Sequence, residues 1–122
     1  MNLIWQMNSV YLGMVIRMRE INEKVIQDIT TKIVNHFHPE MVILFGSYAS
    51  GNTQKGSDLD LLVIRDSDIP KHKRSIPIRR LFRGYMIPMD IIVYTPFEVE
   101  KYKDVIGSFI HHILNKGRIL YG

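Results

Sequence analysis

Residues 44–64 read LFGSYASGNTQKGSDLDLLVI. An apolar run, residues 41–45, ends at Gly46-Ser47, and a second apolar run begins at Asp58-Leu59-Asp60. Runs of this length without polar interruption suit strands buried on both faces. Gly46 permits a sharp turn out of the first strand, and residues 48–50 fit a short helix before a polar loop, residues 51–56. The second strand is expected over residues 58–65.

Other segments follow from period and punctuation. From residue 19 to residue 37, Ile21, Val25, Ile29, Ile33 and Phe37 recur every four positions, with Val34 widening the stripe. That spacing predicts an amphipathic helix, stopped by Pro39. Residues 71–84 are basic and helical in their second half, with Pro77 near the helix start. Residues 89–95 form a third strand. Thr95-Pro96 with Glu98 reads as a capped helix start. A last helix is expected over residues 104–115, with Gly117 as its stop and a short edge strand over residues 118–121. The fold class is therefore α/β (α+β): a small mixed sheet of about three core strands flanked by helices.

The chain has 122 residues, enough for one domain with a real core. With 46% apolar and 23% charged residues it has an ordinary globular composition. Cysteine is absent, which excludes disulfides and thiolate zinc sites and fits a cytoplasmic setting. The net charge of +4 suits a phosphate-rich ligand, nucleic acid or an acidic partner without choosing among them. Residues 1–18 are apolar but broken by Asn2, Gln6, Asn8 and Ser9, so neither a signal peptide nor a membrane span is expected there. They are read as an N-terminal extension of uncertain role, and residues 19–122 as a single domain.

In a strand, residues i and i+2 share a face. Asp58 and Asp60 thus project together, roughly 6–7 Å apart from two strand rises. Two hard carboxylates at that spacing suit magnesium, which prefers few carboxylates, some water and substrate phosphate oxygens. Asp90 opens the third strand in PMDIIVYT, among apolar neighbours where an unpaired charge is costly. If the third strand lies beside the second, Asp90 reaches the same metals and favours deprotonation of an acceptor hydroxyl. Its alternative is an ion pair with one of the arginines. Ser47 at a helix start offers outward N–H groups and a hydroxyl to phosphate. The grip and the acids together suggest handling of a nucleoside triphosphate.

The segment GSYASGNTQKGSDLDLLVI resembles the signature of the DNA polymerase beta-type nucleotidyltransferase superfamily. From about Ile21 to Gly122 the chain looks like its minimal nucleotidyltransferases, whose C-terminal segment the closing FIHHILNKGRILYG also resembles. The resemblance implies that Gly46 and Ser47 bind the nucleotide, and that Asp58, Asp60 and Asp90 are the catalytic, metal-binding acids for two Mg2+ ions. It implies in-line attack on the α-phosphate of ATP with departure of pyrophosphate. Many minimal nucleotidyltransferases are antitoxins that transfer AMP to a tyrosine of a HEPN ribonuclease toxin, so a HEPN-type partner is implied as well. The ten residues between Ser47 and Asp58 match that group and other members alike. Two alternatives stay open: a non-catalytic antitoxin or binding module that occludes a partner, and nucleotidyl transfer to a small molecule. The second is disfavoured by the few residues left to build an acceptor pocket.

Lys71, Lys73, Arg74, Arg79, Arg80 and Arg83 form a stretch without acids, able to face phosphate, RNA, a partner or plain solvent. Only Phe82 and Tyr85 lie nearby, too little aromatic interleaving for specific nucleic-acid readout. His36, His38, His111 and His112 lack the i, i+4 spacing of a metal pair, and a structural or surface role is read for them. Tyr48 and Tyr94 are read as packing residues. A membrane partner is not expected, and homo-oligomerisation is left open.

Overall fold

The computed structural model describes residues 21–54 and 56–122. The N-terminal extension read over residues 1–18, and the first residues of the expected helix at 19 and 20, lie outside the described residues.

The first helix, α1, spans Glu23–Phe37. It starts where the Asn22 side chain accepts the Val25 N–H at 2.9 Å, with Glu23 in the first turn. It ends at His38, whose φ of 48° is left-handed and whose N–H returns to the Val34 carbonyl. Pro39 then prevents any continuation. Its buried residues are Ile26, Ile29, Thr30 and Ile33. The contact stripe is thus rotated from the one expected: Val25, Val34 and Phe37 flank it, and Ile26 joins its centre. A 3.6-residue period makes a strict i, i+4 row drift around the helix, so Ile26 and Ile33 bracket the true face.

Strand β1 (Met41–Phe45) leads into the one-turn helix α2 (Ser47–Ser50), and strand β2 (Leu59–Ile64) follows the polar loop. A 3-10 turn, Lys71–Lys73, and helix α3 (Ile76–Leu81) form the crossover to strand β3 (Met89–Tyr94). Helix α4 (Pro96–Tyr102) begins with the expected Thr95–Glu98 capping box. Helix α5 spans Phe109–Lys116 and strand β4 Arg118–Tyr121. The last helix therefore starts five residues later than the sequence pattern suggested. Gly107 takes a φ of 88°, which breaks a continuous helix, and Ser108 caps the new start by accepting the His111 N–H at 3.1 Å.

The sheet order is β3-β2-β1-β4. Strand β1 pairs antiparallel with β2 and β4, whereas β2 and β3 are parallel. One face of the sheet packs Val42, Leu44, Leu61, Val63, Ile91 and Val93 against α1 and α3. The other packs Ile43, Leu62, Ile64 and Tyr94 against Ile110 and Ile113 of α5. This sandwich explains why β1 and β2 read as unbroken apolar runs: both faces are covered. Asp60 is the one residue of β2 that is not buried. Among the described residues no helix is long and apolar enough to cross a membrane.

Candidate active site

Three strand ends converge at one corner of the sheet. Phe45, the last residue of β1, pairs with Asp60 of β2, and Asp60 pairs with Asp90 of β3. In parallel strands in register, such partners present their side chains on the same face. Leu59 points the other way into the α1 side of the core, as strand alternation requires. Asp58 stands just before β2, exposed, and its charge reaches Asp60. The fold thus brings the three sequence-selected acids to one place.

Electrostatics at that corner are unfavourable in the absence of a cation. Burial pushes the Asp60 carboxyl above its ordinary value, and the charges of Asp90 and Asp58 push it the same way. Asp90 is not the enclosed acid that its apolar sequence neighbours suggested. Its side chain is 48% exposed because it sits at the mouth of the sheet, where β3 begins. Its nearest cation is the Arg79 Nη2, 3.4 Å from Oδ1 and half exposed itself. A contact of that length in water neutralises little. Arg79 is the site neighbour that sequence reasoning did not single out; within an all-basic run nothing marks which arginine turns toward Asp90.

Gly46 closes the corner on the β1 side. Its φ of 72° and ψ of −151° lie in a region essentially reserved for glycine. A Cβ built there would overlap Asp60 Oδ2 and stand 3.1 Å from Asp60 Cγ. The backbone conformation demands glycine here, and any side chain would in addition push the Asp60 carboxylate aside. The Gly46 carbonyl accepts from the Ala49 and Ser50 N–H groups, both at 3.1 Å, which closes α2. The N–H groups of Ser47 and Tyr48, at the open start of that turn, take no acceptor among the described residues.

The donor set fits magnesium. The three carboxylates offer only hard oxygens, and the charges of Asp90 and Asp58 act against that of Asp60, the most buried of them. Among the described residues, however, no group of three or more acidic, imidazole or thiol side chains is drawn close enough to hold a metal ion as it stands.

The remaining candidates have other places. Tyr94 is buried and stacks on Phe109 at 5.8 Å, while Tyr48 packs at the rim of the α1 core. His36 Nδ1 lies 2.9 Å from the Lys32 carbonyl and His111 Nδ1 2.9 Å from that of Lys103. The basic stretch divides: Arg74 turns inward to Glu98 at 2.5 Å, whereas Lys71 and Arg79 line the outer side of β3.

Comparison with known proteins gives this corner a lineage. The profile of the polymerase beta nucleotidyltransferase family matches residues 27–122. Two proteins of Methanocaldococcus jannaschii named as protein adenylyltransferases are similar in sequence. One is 32% identical over 80% of this chain and 93% of its own length, the other 27% identical over 81% and 97%. A crystal structure of a toxin-antitoxin with AMP-PNP shares the fold at a TM-score of 0.55, 19% identity and coverage of 79% of this chain and 73% of that one. The acids gathered at the ends of β2 and β3, the glycine wedged against them and the match over nearly all of the described chain lead to one conclusion: the chain belongs to the polymerase beta nucleotidyltransferase family and is a nucleotidyltransferase.

Proposed function

We propose that the chain transfers AMP from ATP to a hydroxyl of a partner protein, most specifically a tyrosine of a HEPN-type toxin, and thereby acts as an antitoxin. The observation that carries the reading is the register pair Asp60–Asp90, with Gly46 backed onto Asp60. It leaves one carboxylate between the Gly46-Ser47 turn and a second carboxylate at the solvent edge. The names of the M. jannaschii relatives support adenylyl transfer to protein, and the toxin-antitoxin neighbour supports the kind of partner.

In this reading the Ser47 and Tyr48 N–H groups and the Ser47 hydroxyl bind the triphosphate at the start of α2. Asp58, Asp60 and Asp90 hold magnesium, which when bound offsets phosphate charge and acidifies the acceptor hydroxyl. Asp90, the most accessible acid of the register pair's outer strand, takes the acceptor proton. The acceptor oxygen bonds to the α-phosphorus as the bond to the departing pyrophosphate breaks.

The test is intact-mass measurement of the partner encoded beside this chain, after incubation with the protein, ATP and magnesium. Gain of one AMP on a tyrosine is expected, together with release of pyrophosphate. An unchanged partner whose toxicity is still neutralised, including by an Asp58/Asp60/Asp90 triple Asn variant, would establish the occluding module instead.

A further inference from the structure

Strand alternation decides which face of the sheet the acids serve. Asp60 lies two residues before Leu62 and shares its row with Phe45 and Asp90, so all three side chains stand on the face of Ile43, Leu62 and Ile64. Helix α5 covers that face through Ile110 and Ile113. A metal held by these carboxylates, and a nucleotide on it, therefore lie on the α5 side of the sheet and not on the α1 side.

The helix turns a defined flank toward them. Ile110 and Ile113 point into the sheet, and Leu114 lines a groove with Met41 and Ile64, at the strand ends remote from the acids. With 3.6 residues per turn, the opposite flank carries Phe109, His112 and Lys116. Contacts place its two ends. Phe109 meets the Phe45 ring edge-on at 5.5 Å and stacks on Tyr94 of β3. Gly117, directly after Lys116, abuts β1 so closely that a Cβ there would stand 2.7 Å from Ile43 Cγ2 and 3.0 Å from the Leu44 carbonyl oxygen. Lys116 thus lies over the strand that delivers Gly46-Ser47, and Phe109 lies nearer β3.

Both residues are available to a ligand. Phe109 is 38% exposed although two aromatic rings flank it, and the Ser108 cap fixes it in the first turn of α5. Lys116 is exposed and makes no ion pair among the described residues. With Ser108, His112 and Asn115 they line a cavity of about 650 Å³, the size of a small-molecule site.

The direction of the reaction assigns the parts. In-line displacement needs the attacking and leaving oxygens on opposite sides of the phosphorus. With a triphosphate anchored at Ser47, pyrophosphate leaves on the β1 side and the acceptor enters from the β3 side. Ribose and base then leave the α-phosphorus across that axis, where the protein surface is α5.

We infer that the Phe109–Lys116 flank of α5 is the second wall of the nucleotide site: Phe109 packs against the nucleobase, and Lys116 pairs with the terminal phosphates. The inference rests on the reading above that Ser47 anchors a triphosphate beside the acids. Every base has a π-face, so an aromatic wall favours a nucleoside triphosphate over bare phosphate without selecting one base.

The experiment is isothermal titration calorimetry of the full chain with magnesium, comparing a non-hydrolysable ATP analogue with inorganic triphosphate. Phe109→Leu keeps apolar bulk and loses the aromatic face. It should weaken the ATP analogue about fivefold or more and leave triphosphate unchanged, and Phe109→Tyr should restore the analogue. Lys116→Ala should weaken both ligands about fivefold or more, by a margin that shrinks as salt rises. Leu114→Ala, on the opposite flank, should change neither. Phe109→Leu weakening neither ligand, or both equally, would overturn the inference. So would wild-type affinity in Lys116→Ala. Ser47→Ala separates the wall from the anchor. Unchanged triphosphate affinity in Ser47→Ala, beside the expected losses in Phe109→Leu and Lys116→Ala, upholds the α5 wall and overturns the Ser47 anchor. The reverse pattern upholds the anchor and overturns the wall, and no binding of either ligand to the wild-type chain overturns both.

Discussion

Two carboxylates at opposite ends of β3 have opposite fates. Glu98, just past its C-terminal end, sits in a completed network. It accepts from the Thr95 N–H at 2.8 Å, the Thr95 hydroxyl at 3.1 Å and Arg74 at 2.5 Å. Burial alone would raise its carboxyl, yet those donors outweigh it and hold Glu98 below its ordinary value. Asp60, beside the N-terminal end, is also raised by burial, but what surrounds it are the like charges of Asp90 and Asp58. The same small sheet satisfies one acid and leaves the other in conflict. A fold otherwise locally consistent tolerates such conflict where a ligand is meant to resolve it.

The largest expected effect comes from removing the unsatisfied acid. Asp60→Asn should lower pyrophosphate-releasing turnover by about 10³-fold or more, since each factor of ten is ~1.4 kcal/mol of barrier. Its melting temperature in chelator should be unchanged or higher, because a repulsive charge has gone. Turnover near the wild-type rate would break the contrast at its centre.

Gly46→Ala comes next. The new Cβ meets both a glycine-only backbone region and the Asp60 carboxylate, so a stability loss of about 1–3 kcal/mol is expected in chemical denaturation. Turnover should fall with it, as Asp60 is displaced. Wild-type stability and turnover would show that the corner has more slack than the geometry allows.

Glu98→Ala removes the satisfied acid. It strips the capping box and leaves Arg74, whose side chain is 11% exposed, without its partner. A loss of about 1–3 kcal/mol is expected, with activity per folded molecule retained. The pH dependence sharpens the comparison. Glu98 titrates lower in the folded chain than the ordinary glutamate value of 4.5, so its stabilisation is full above that value and is lost as pH falls through the folded one. Asp60 is shifted upward, so its penalty is full at neutral pH and is relieved as pH falls through its folded value. Thermal melts across the acid range should show a flatter acid decline for Glu98→Ala than for wild type, and a steeper one for Asp60→Asn.

The smallest effect belongs to Arg79→Ala. A half-exposed pair at 3.4 Å contributes stability within about 0.5 kcal/mol of zero. A larger loss would mean that Asp90 is satisfied after all.

The legible parts of the molecule were those with local causes. The β1 and β2 runs, the Thr95 capping box and the Pro77 and Pro96 helix starts each carry their signal within a few residues. The nearness of Asp58 and Asp60 was legible from alternation along one strand, whereas the apolar context of Asp90 pointed to an enclosed acid that the fold does not make. Four features were not legible for non-local reasons. The start of α5 depends on Gly107 adopting a positive φ, which sequence permits without requiring. The rotation of the α1 stripe is decided by what packs on it. The exposure of Asp90 follows from its place at the mouth of the sheet. The division of the basic stretch, with Arg74 inward and Arg79 toward Asp90, depends on where the crossover lays α3 against β3.

The most direct single measurement is the shift in melting temperature on adding magnesium with a non-hydrolysable ATP analogue, in wild type and in Asp60→Asn. A ligand that binds only the folded chain raises its stability by RT ln(1 + [L]/Kd). If the conflict among Asp58, Asp60 and Asp90 is the seat of the metal and nucleotide, wild type should gain several degrees and Asp60→Asn almost none. An equal gain in both proteins would contradict that assignment.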